Sequence, residues 1–354
     1  MITIIVILSL AILVLLHEFG HFITAKSFKM PVDEFGIGFP PRLFGKKFGK
    51  TLYSVNALPF GGFVKIYGEN GEREEGRGNE TGFNDQRPWR RLVVVLAGIM
   101  MNFILGWIVL SIVLMIGAPS HLVIAGVVPG SPAAAAGLST GDAILRAENG
   151  GQTLSDPINV DTFVNLVKTN PDKNVTLEIG RGSGTLNVTL EKRVPAPQNQ
   201  GELGVSLADT GFPAESFFAA VWDGLRETGS IIALTFAGLY NLIVGLFTSG
   251  GAALQGVAGP VGIVFLASQV TSLGAVYLLQ LMALISVNLA VLNLLPFPAL
   301  DGGRALFIVI EKLKGSPVPR TVENWVNGIG FAALIILMVF ITFHDLNHFL
   351  NWSI

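Results

Sequence analysis

Long apolar segments alternate with polar stretches along the chain, and this alternation predicts its main elements. Crossing a hydrocarbon core takes about 20 predominantly apolar residues in a helix. Four segments are expected to do so, at residues 1–25, 92–117, 275–304 and 326–344. Since no basic residue precedes the first segment and no small-residue cleavage site follows it, we expect an uncleaved membrane helix there. The pattern therefore predicts a polytopic α-helical membrane protein with about four transmembrane helices.

The segment between residues 215 and 270 has more than one interpretation. No charged residue occurs from Gly229 to Leu300, and Ile231 to Phe247 alone resembles a further span. A single extra crossing would put the polar end of the third apolar segment on the opposite side of the membrane from the polar end of the first. We therefore expect a membrane-surface or re-entrant segment at 215–270, with a paired double crossing as the alternative.

Two regions are expected to lie outside the hydrocarbon core. Residues 26–91 form a polar loop, and its part 35–68 contains the extended stretches Thr51 to Ala57 and Gly62 to Tyr67. We interpret these stretches as a short membrane-associated β-hairpin. Residues 121–208 alternate strand-like and helix-like stretches, which predicts an inserted, compact α+β domain.

The distribution of basic residues predicts the orientation. The loop 26–91 is rich in Lys and Arg, and Lys312 and Arg320 lie between the last two apolar segments. Loops with such an excess face the cytoplasm. We therefore expect a multi-pass protein of the inner (cytoplasmic) membrane, with both termini, the 121–208 domain and the tail 345–354 extracytoplasmic. The polar end of the first helix then lies toward the cytoplasmic side.

The composition narrows the class of protein further. The chain is 51% hydrophobic and only 14% charged, which fits a protein built for lipid. Its formal net charge of −2 gives no electrostatic reason to expect nucleic acid as a partner. The sequence has no cysteine, so disulfides, thiolate nucleophiles and Cys-based metal sites are excluded. His and carboxylate side chains remain as the metal ligands to consider.

The sequence His17-Glu18-Phe19-Gly20-His21 near the end of the first apolar segment predicts a metal site. Residues four apart share one face of a helix, so both imidazoles can reach one tetrahedral ion with Glu18 beside it. Glu18 would then act as the general base. A charged residue at the centre of an apolar helix costs about 2.5–3.5 kcal/mol on insertion scales, which argues against a chance occurrence of this pattern.

The third ligand is expected to be another polar group at membrane depth. Asp301 is the only acidic residue between Glu227 and Glu311. Together with His17 and His21 it would give Zn²⁺ three protein ligands, with a water molecule in the open fourth position.

The residues around Asp301 support this choice. Pro296 and Pro298 must interrupt a helix, and Gly302-Gly303 permit a sharp turn, so the backbone is bent where it could face an ion. The alternative is that Asp301 caps a helix beginning near Ala305.

A second histidine pair, His344 and His348, has the same spacing. It begins at the end of the last apolar segment, where Asp345 replaces the glutamate that a general base requires, and no third ligand is apparent. We do not expect a metal there.

Three motifs together resemble a known family. They are the HExxH sequence at 17–21, the stretch from Asn293 to Gly303 containing NxxPxxxxDGG, and the stretch Ala125 to Asp142, which resembles the start of a bacterial PDZ domain. The chain is similar over nearly its whole length to the bacterial, regulator-of-sigma-E-protease-like branch of the site-2 protease family, including Leu96 to Asn102 and Ser286 to Asn288. The sequence departs from this branch in two respects. The insert has room for one PDZ domain, whereas the regulator-of-sigma-E protease has two. In the second apolar segment, Gly98-Ile99 stands where the family often has Gly-Pro.

The resemblance implies intramembrane proteolysis by a zinc metalloendopeptidase. The implied substrates are single-span membrane proteins, such as anti-sigma factors or signal-peptide remnants, hydrolysed in or near their transmembrane segments after another protease has shortened them. The implied partners are these substrates and the lipid bilayer, and the oligomeric state stays open. The substrate-binding residues would be Asn288, Asn293, Pro296 and Pro298.

The physical chemistry is compatible with these implications. A helical substrate hides its peptide bonds and must be unwound before attack. The expected hairpin could hold the unwound strand by β-addition, or could simply anchor the loop in the membrane. The PDZ-like domain could bind a peptide end or obstruct bulky ectodomains.

Two other functions are compatible with the same residues. A membrane metal transporter or channel also carries polar residues in its spans, although it needs neither Glu18 beside the first histidine nor an outside PDZ-like domain. An inactive PDZ scaffold would keep its function after replacement of Glu18.

Overall fold

The computed structural model describes residues 2–69, 81–170, 174–181, 184–193, 195, 201–248 and 259–350. Its helices are α1 (Ile2–Ser27), α2 (Pro88–Ile116), α3 (Pro132–Ala135), α4 (Val160–Thr169), α5 (Phe217–Thr248), α6 (Pro260–Leu273), α7 (Ala275–Leu294), α8 (Asp301–Lys314) and α9 (Arg320–Leu350). Its strands are β1 (Val32–Phe48), β2 (Thr51–Ile66), β3 (Ala118–Val127), β4 (Ala143–Asn149), β5 (Gln152–Ser155), β6 (Asn174–Arg181), β7 (Gly184–Glu191) and β8 (Val205–Phe212). A 3₁₀ turn at Phe83–Asp85 precedes α2.

The chain forms two compact units. One unit comprises residues 1–109, 224–264 and 282–354, and the other comprises 110–223 and 265–281. The first unit contains α1, the β1–β2 sheet and α8, and the second contains the sheet of β3 to β8.

Five helices in the described part of the chain are long and apolar enough to cross a membrane by length and composition. They are Ile7–Ser27, Pro88–Ile116, Phe217–Gly245, Ala275–Leu294 and Arg320–Phe343. The segment predicted at 275–304 ends as a helix at Leu294, because Pro296 and Pro298 cannot continue it. The region 215–270 contains α5 and most of α6, and α5 is long and apolar enough to span a membrane, as its sequence had suggested.

The sheet of β1 and β2 differs from the expected hairpin. Thr51 to Ala57 and Gly62 to Tyr67 were expected to pair with each other, and this pairing is wrong. Instead both stretches pair with the first half of β1, where Gly36 lies opposite Phe63 on one side and Ser54 on the other. Residues 62–66 run antiparallel to 32–37, whereas 52–55 lie opposite 34–37 with residue numbers that rise together. The second half of β1 folds back beside Thr51 to Ala57, with Phe48 opposite Thr51. Alternating apolar and polar positions identify a strand but do not identify its partner.

The second unit holds the α+β arrangement expected between residues 121 and 208. Its strands are antiparallel in the order β7-β6-β4-β3-β8, and β5, which the sequence had not indicated, pairs with β4. Leu122, Ile144, Phe163 and Leu177 are buried in its core. Phe163 comes from α4, whose Asn159 cap accepts a hydrogen bond from the backbone N–H of Thr162 at 2.8 Å.

In the first unit, α1 and α2 approach closely where each carries glycine. A Cβ atom on Gly20 would lie 2.5 Å from the carbonyl oxygen of Ala97, so only glycine fits at this crossing. Near this crossing, a buried apolar cluster joins α1, β1, β2, α2 and α8 through residues that include Ala25, Val32, Ile66 and Val94. This packing holds the polar end of α1 against the start of α8.

Candidate metal centre

His17 and His21 lie one turn apart on the buried face of α1. Both residues are buried, at 6% and 8% exposure, and their Nε2 atoms are 3.2 Å apart. Gly98 of α2 faces the two rings, and a Cβ atom there would overlap His21 Nε2 and lie 2.9 Å from Cε1 of His17. The two imidazoles fit between α1 and α2 because Gly98 has no side chain to occupy their space.

Asp301 is the first residue of α8 and reaches the same point. Its Oδ2 atom lies 2.9 Å from Nε2 of His17 and 3.2 Å from Nε2 of His21. The helix begins at Asp301, not near Ala305, and the residue at its N-cap is Leu300 without a side-chain cap. The capping alternative for Asp301 thus does not describe this helix start.

The loop before Asp301 folds tightly over the start of α8. Cβ atoms on Gly302 and Gly303 would overlap the carbonyl oxygens of Leu295 and Phe297, which explains the two glycines. Ala299 has a positive φ of 72°, and its N–H donates to Oδ1 of Asn327 in α9 at 3.1 Å. Asn327 thus helps to hold the loop that presents Asp301.

The three side chains fit a zinc ion. One ligand atom of each lies within 4.8 Å of the others. Asp301 Oδ2 is buried and makes no hydrogen bond of acceptable geometry among the described residues, so its nearest neighbours are the two imidazole nitrogens. Two nitrogens and one carboxylate oxygen, on residues positioned by three packed elements, form a donor set that suits Zn²⁺.

The far sides of the imidazole rings are also held. Nδ1 of His21 lies 2.8 Å from the carbonyl oxygen of Val94, and Nδ1 of His17 lies 3.2 Å from Nδ2 of Asn102. A carbonyl can only accept, so His21 carries its proton on Nδ1 and leaves Nε2 free to bind a metal. Sequence reasoning missed both contacts. A backbone carbonyl has no sequence signal, whereas an asparagine in an apolar helix is a signal that could have been used.

Glu18 lines a cavity of about 410 Å³ beside the cluster, together with His21, Val64, Asp301 and Arg304. Its Oε2 atom accepts a hydrogen bond from the backbone N–H of Val64 in β2 at 3.2 Å. Arg304 lies one turn after Asp301 and forms an ion pair with Glu69. The site therefore combines a carboxylate, a candidate metal cluster and an open volume.

The four expected substrate-binding residues are not among those that line this cavity in the described structure. Asn288 instead accepts a hydrogen bond from Oγ1 of Thr235 at 2.6 Å. Asn293 and Pro298 are half-buried, and Pro296 is exposed just before the loop that presents Asp301. Their role in substrate binding stays a prediction.

The side chains of the second histidine pair, His344 and His348, lie outside the described part of the structure. Asp345 between them is buried and accepts hydrogen bonds from the backbone N–H groups of Gly262 at 2.8 Å and Gly259 at 3.4 Å. This aspartate thus stabilises the start of α6.

Comparison with known proteins places these features in context. The model of a family described as peptidase family M50 matches residues 5–337. A Clostridium perfringens protein named as a zinc metalloprotease is 37% identical over 342 residues, covering 96% of both chains. A Nostoc protein with the same kind of name is 32% identical over 345 residues, covering 94% of this chain and 92% of the relative. The regulator of sigma-W protease RasP of Bacillus subtilis is 29% identical over 415 aligned positions, covering 94% and 95%.

Proposed function

The chain belongs to peptidase family M50, and from this premise we propose that His17, His21 and Asp301 hold its zinc ion while Glu18 acts as general base. The protein is a multi-pass intramembrane zinc metalloprotease that acts on membrane proteins in regulated proteolysis. The observation that carries the proposed site is the convergence of three ligand atoms within 4.8 Å beside the cavity that contains Glu18.

The chemistry of peptide hydrolysis assigns a task to each of these residues. When bound by this donor set, a zinc ion would supply a Lewis acid and would lower the pKa of a water molecule to about 7. The Glu18 carboxylate takes a proton from the attacking water and returns it to the nitrogen of the leaving amine. The hydrogen bond from Val64 N–H orients this carboxylate toward the cavity.

The free side of β2 next to Glu18 supports strand addition as the way the substrate is held. Within the described residues, 62–66 pair with 32–37 on one side and have no strand on the other, and Val64 directs its N–H toward Glu18. A substrate segment unwound from its helix could therefore extend the sheet and bring its backbone past the cavity.

The proposed orientation has the loop 26–91 in the cytoplasm. Arg91 at the start of α2 forms an ion pair of 2.5 Å with Glu311 near the end of α8. This contact supports a common side for the two basic loops, whose charge predicts a cytoplasmic location. The termini and the 121–208 domain are then extracytoplasmic, in the inner membrane.

The hydrogen bonds of Asp345 bear on the path of residues 215–270. They join the start of α6 to the end of α9 that is remote from Arg320, hence to the extracytoplasmic end. Residue 215 follows the extracytoplasmic domain. Both ends of 215–259 therefore lie on one side, which supports a surface or re-entrant segment, or a double crossing, and disfavours a single crossing.

The substrate class follows from the same architecture. Single-span membrane proteins whose ectodomains have already been shortened would pass the 121–208 domain, which acts in this proposal as a PDZ-like size filter. The printed name of the Bacillus subtilis relative, a regulator of sigma-W protease, makes membrane-bound regulators of transcription the first substrates to test.

The proposed function is tested by incubating the purified protein with single-span peptides, with and without a zinc chelator. Cleavage should occur, stop with chelator and return on addition of zinc. Glu18→Gln should lower the cleavage rate at least about 100-fold, because general acid–base catalysis contributes that much or more, and should keep about one zinc per chain. The variant retains an oxygen that accepts from Val64 N–H. Full activity of Glu18→Gln would overturn the mechanism, and zinc flux without hydrolysis would favour a transporter.

A further inference from the structure

We infer that Asn102 of α2 is a positioning residue for the zinc site, whose amide oxygen accepts a hydrogen bond from the Nδ1–H group of His17. This inference rests on the proposed function, because it presupposes that His17 binds the metal through Nε2. It adds a residue outside the three ligands and Glu18, and it assigns that residue a measurable effect on zinc affinity.

Asn102 lies in the apolar helix α2 and is fully buried, with 0% exposure. A polar side chain at such a position is costly unless it is paired or serves a function. Its Nδ2 atom lies 3.2 Å from Nδ1 of His17, and its Oδ1 atom has no hydrogen-bond partner among the described residues. The residue therefore faces a candidate metal ligand and has an acceptor that is not used.

The two orientations of the amide have opposite consequences for zinc. With NH₂ toward the ring, Nδ1 of His17 must accept, so the proton sits on Nε2, the atom that faces Asp301 at 2.9 Å. Such an imidazole cannot offer Nε2 to a metal. A half-turn of the amide exchanges oxygen and nitrogen without changing its shape. Nδ1–H then donates to Oδ1, and Nε2 carries the free lone pair.

The half-turn does not increase the number of unpaired groups. Before the half-turn, Oδ1 is the buried group without a partner among the described residues. After it, the NH₂ group occupies that place, so one buried group is unpaired in either orientation. What changes is the tautomer of His17. The orientation with oxygen toward the ring is thus favoured by zinc binding itself.

His21 has the equivalent arrangement without ambiguity. Its Nδ1 lies 2.8 Å from the carbonyl oxygen of Val94, which has no alternative to accepting. Helix α2 thus supplies one acceptor for each histidine of α1, a backbone carbonyl for His21 and the Asn102 side chain for His17. Such outer partners orient the ring and set the tautomer of a metal ligand.

The backbone of Asn102 is anchored separately from its side chain. Oγ of Ser286 in α7 donates to the carbonyl oxygen of Asn102 at 2.8 Å, and Ser286 is itself fully buried. This contact joins α2 to α7 without touching either histidine. Ser286→Ala therefore provides a control that removes a neighbouring buried hydrogen bond of similar length and leaves the His17 contact in place.

The test compares Asn102→Leu, Asn102→Asp and Ser286→Ala in the full-length protein, with zinc dissociation constants measured by chelator competition. Leucine keeps the volume and removes the acceptor, so zinc affinity should fall about 10–100-fold, as for other outer-shell partners. Aspartate can only accept, so Asn102→Asp should stay within about threefold of the natural protein. Ser286→Ala should do the same. With cobalt(II) replacing zinc, the visible spectrum should change in Asn102→Leu and not in Ser286→Ala.

The outcomes separate this inference from the proposed site. If His17→Ala keeps its zinc, the proposed site fails and this inference with it. If His17→Ala loses zinc while Asn102→Leu binds it as tightly as the natural protein, only the role of Asn102 is overturned. Thermal unfolding of the metal-free variants checks their folding. Should Asn102→Leu not fold, Asn102→Asp decides, since a loss of affinity about tenfold or larger would contradict an acceptor role.

Discussion

At the scale of single residues, the candidate site depends on close contacts between side chains of α1, α2 and α8. The Asp301 carboxylate faces two imidazole nitrogens and caps no helix, so its removal should affect metal binding far more than folding. Two histidines without a third ligand bind zinc weakly.

Asp301→Ala should therefore purify with strongly depleted zinc. Loss of a helix cap would cost only about 0.5–2 kcal/mol of stability and would leave the metal in place. The matched control is the double variant His344→Ala with His348→Ala, which should keep about one zinc per chain because the HExxH ligands are intact. Elemental analysis of both proteins is the measurement. A zinc-replete Asp301→Ala protein would leave the third ligand unidentified.

Gly98→Ala tests the space that the two rings occupy. Its Cβ would overlap His21 Nε2, so a ring must move and zinc affinity should fall about tenfold or more, as when an outer partner of a ligand is lost. Gly238→Ala in α5 is the control, because a Cβ there has no neighbour within 4 Å. Chelator competition measures both. Unchanged affinity in Gly98→Ala would mean that the helices separate without cost.

The residues of this site differ in how far the sequence alone could identify them. His17, Glu18 and His21 follow from helical spacing, and Asp301 follows from the scarcity of acidic residues at membrane depth. The contacts from Val64 and Val94 use backbone atoms, which any residue type provides, so no sequence pattern could have indicated them.

At the scale of elements, the sequence located strands and helix breaks better than it identified their partners. Helix α7 ends before Pro296 and Pro298, because proline lacks the backbone N–H that a helix requires, and this made the break predictable. The β1–β2 sheet was harder, because one segment of β1 pairs on both sides and alternation along a strand is silent about pairing. The pairing matters for function, because it determines which strand segment has an edge without a neighbouring strand among the described residues.

Val64→Pro tests the free side of β2. Proline removes the N–H that Val64 donates to Glu18 and blocks strand addition there, while the pairing with β1 uses the other side. Cleavage of a single-span peptide should fall about tenfold or more, given the loss of a catalytic contact, and zinc content should stay unchanged. Val64→Ala keeps the N–H group and should cleave within about threefold of the natural protein. Equal rates in both variants would contradict strand addition at this position.

At the scale of the whole molecule, composition and basic loops predict a membrane protein and its orientation, but they leave the number of crossings open. Helix α5 illustrates the reason. Its apolar length suits either a span or a helix lying in the interface, and hydropathy does not distinguish the two. The contact between Asp345 and the start of α6 is the basis of our proposal that both ends of 215–259 lie on one side.

Labelling with a membrane-impermeant thiol reagent tests this topology, and the chain contains no cysteine to interfere. A cysteine introduced at Gly150 should react from outside, and one at Glu75 only after permeabilisation, because basic loops stay cytoplasmic. A cysteine at Leu346, an exposed position next to Asp345, should react from outside with either path of α5, because Asp345 binds the start of α6 at the end of α9 that we propose to be extracytoplasmic. Thr248 at the end of α5 then decides between the two paths. Reaction from outside supports a surface or re-entrant helix, and reaction only after permeabilisation supports a double crossing. Reaction of Leu346 only after permeabilisation, with Gly150 reacting from outside, would mean a single crossing and would contradict the common side proposed for both ends of this segment.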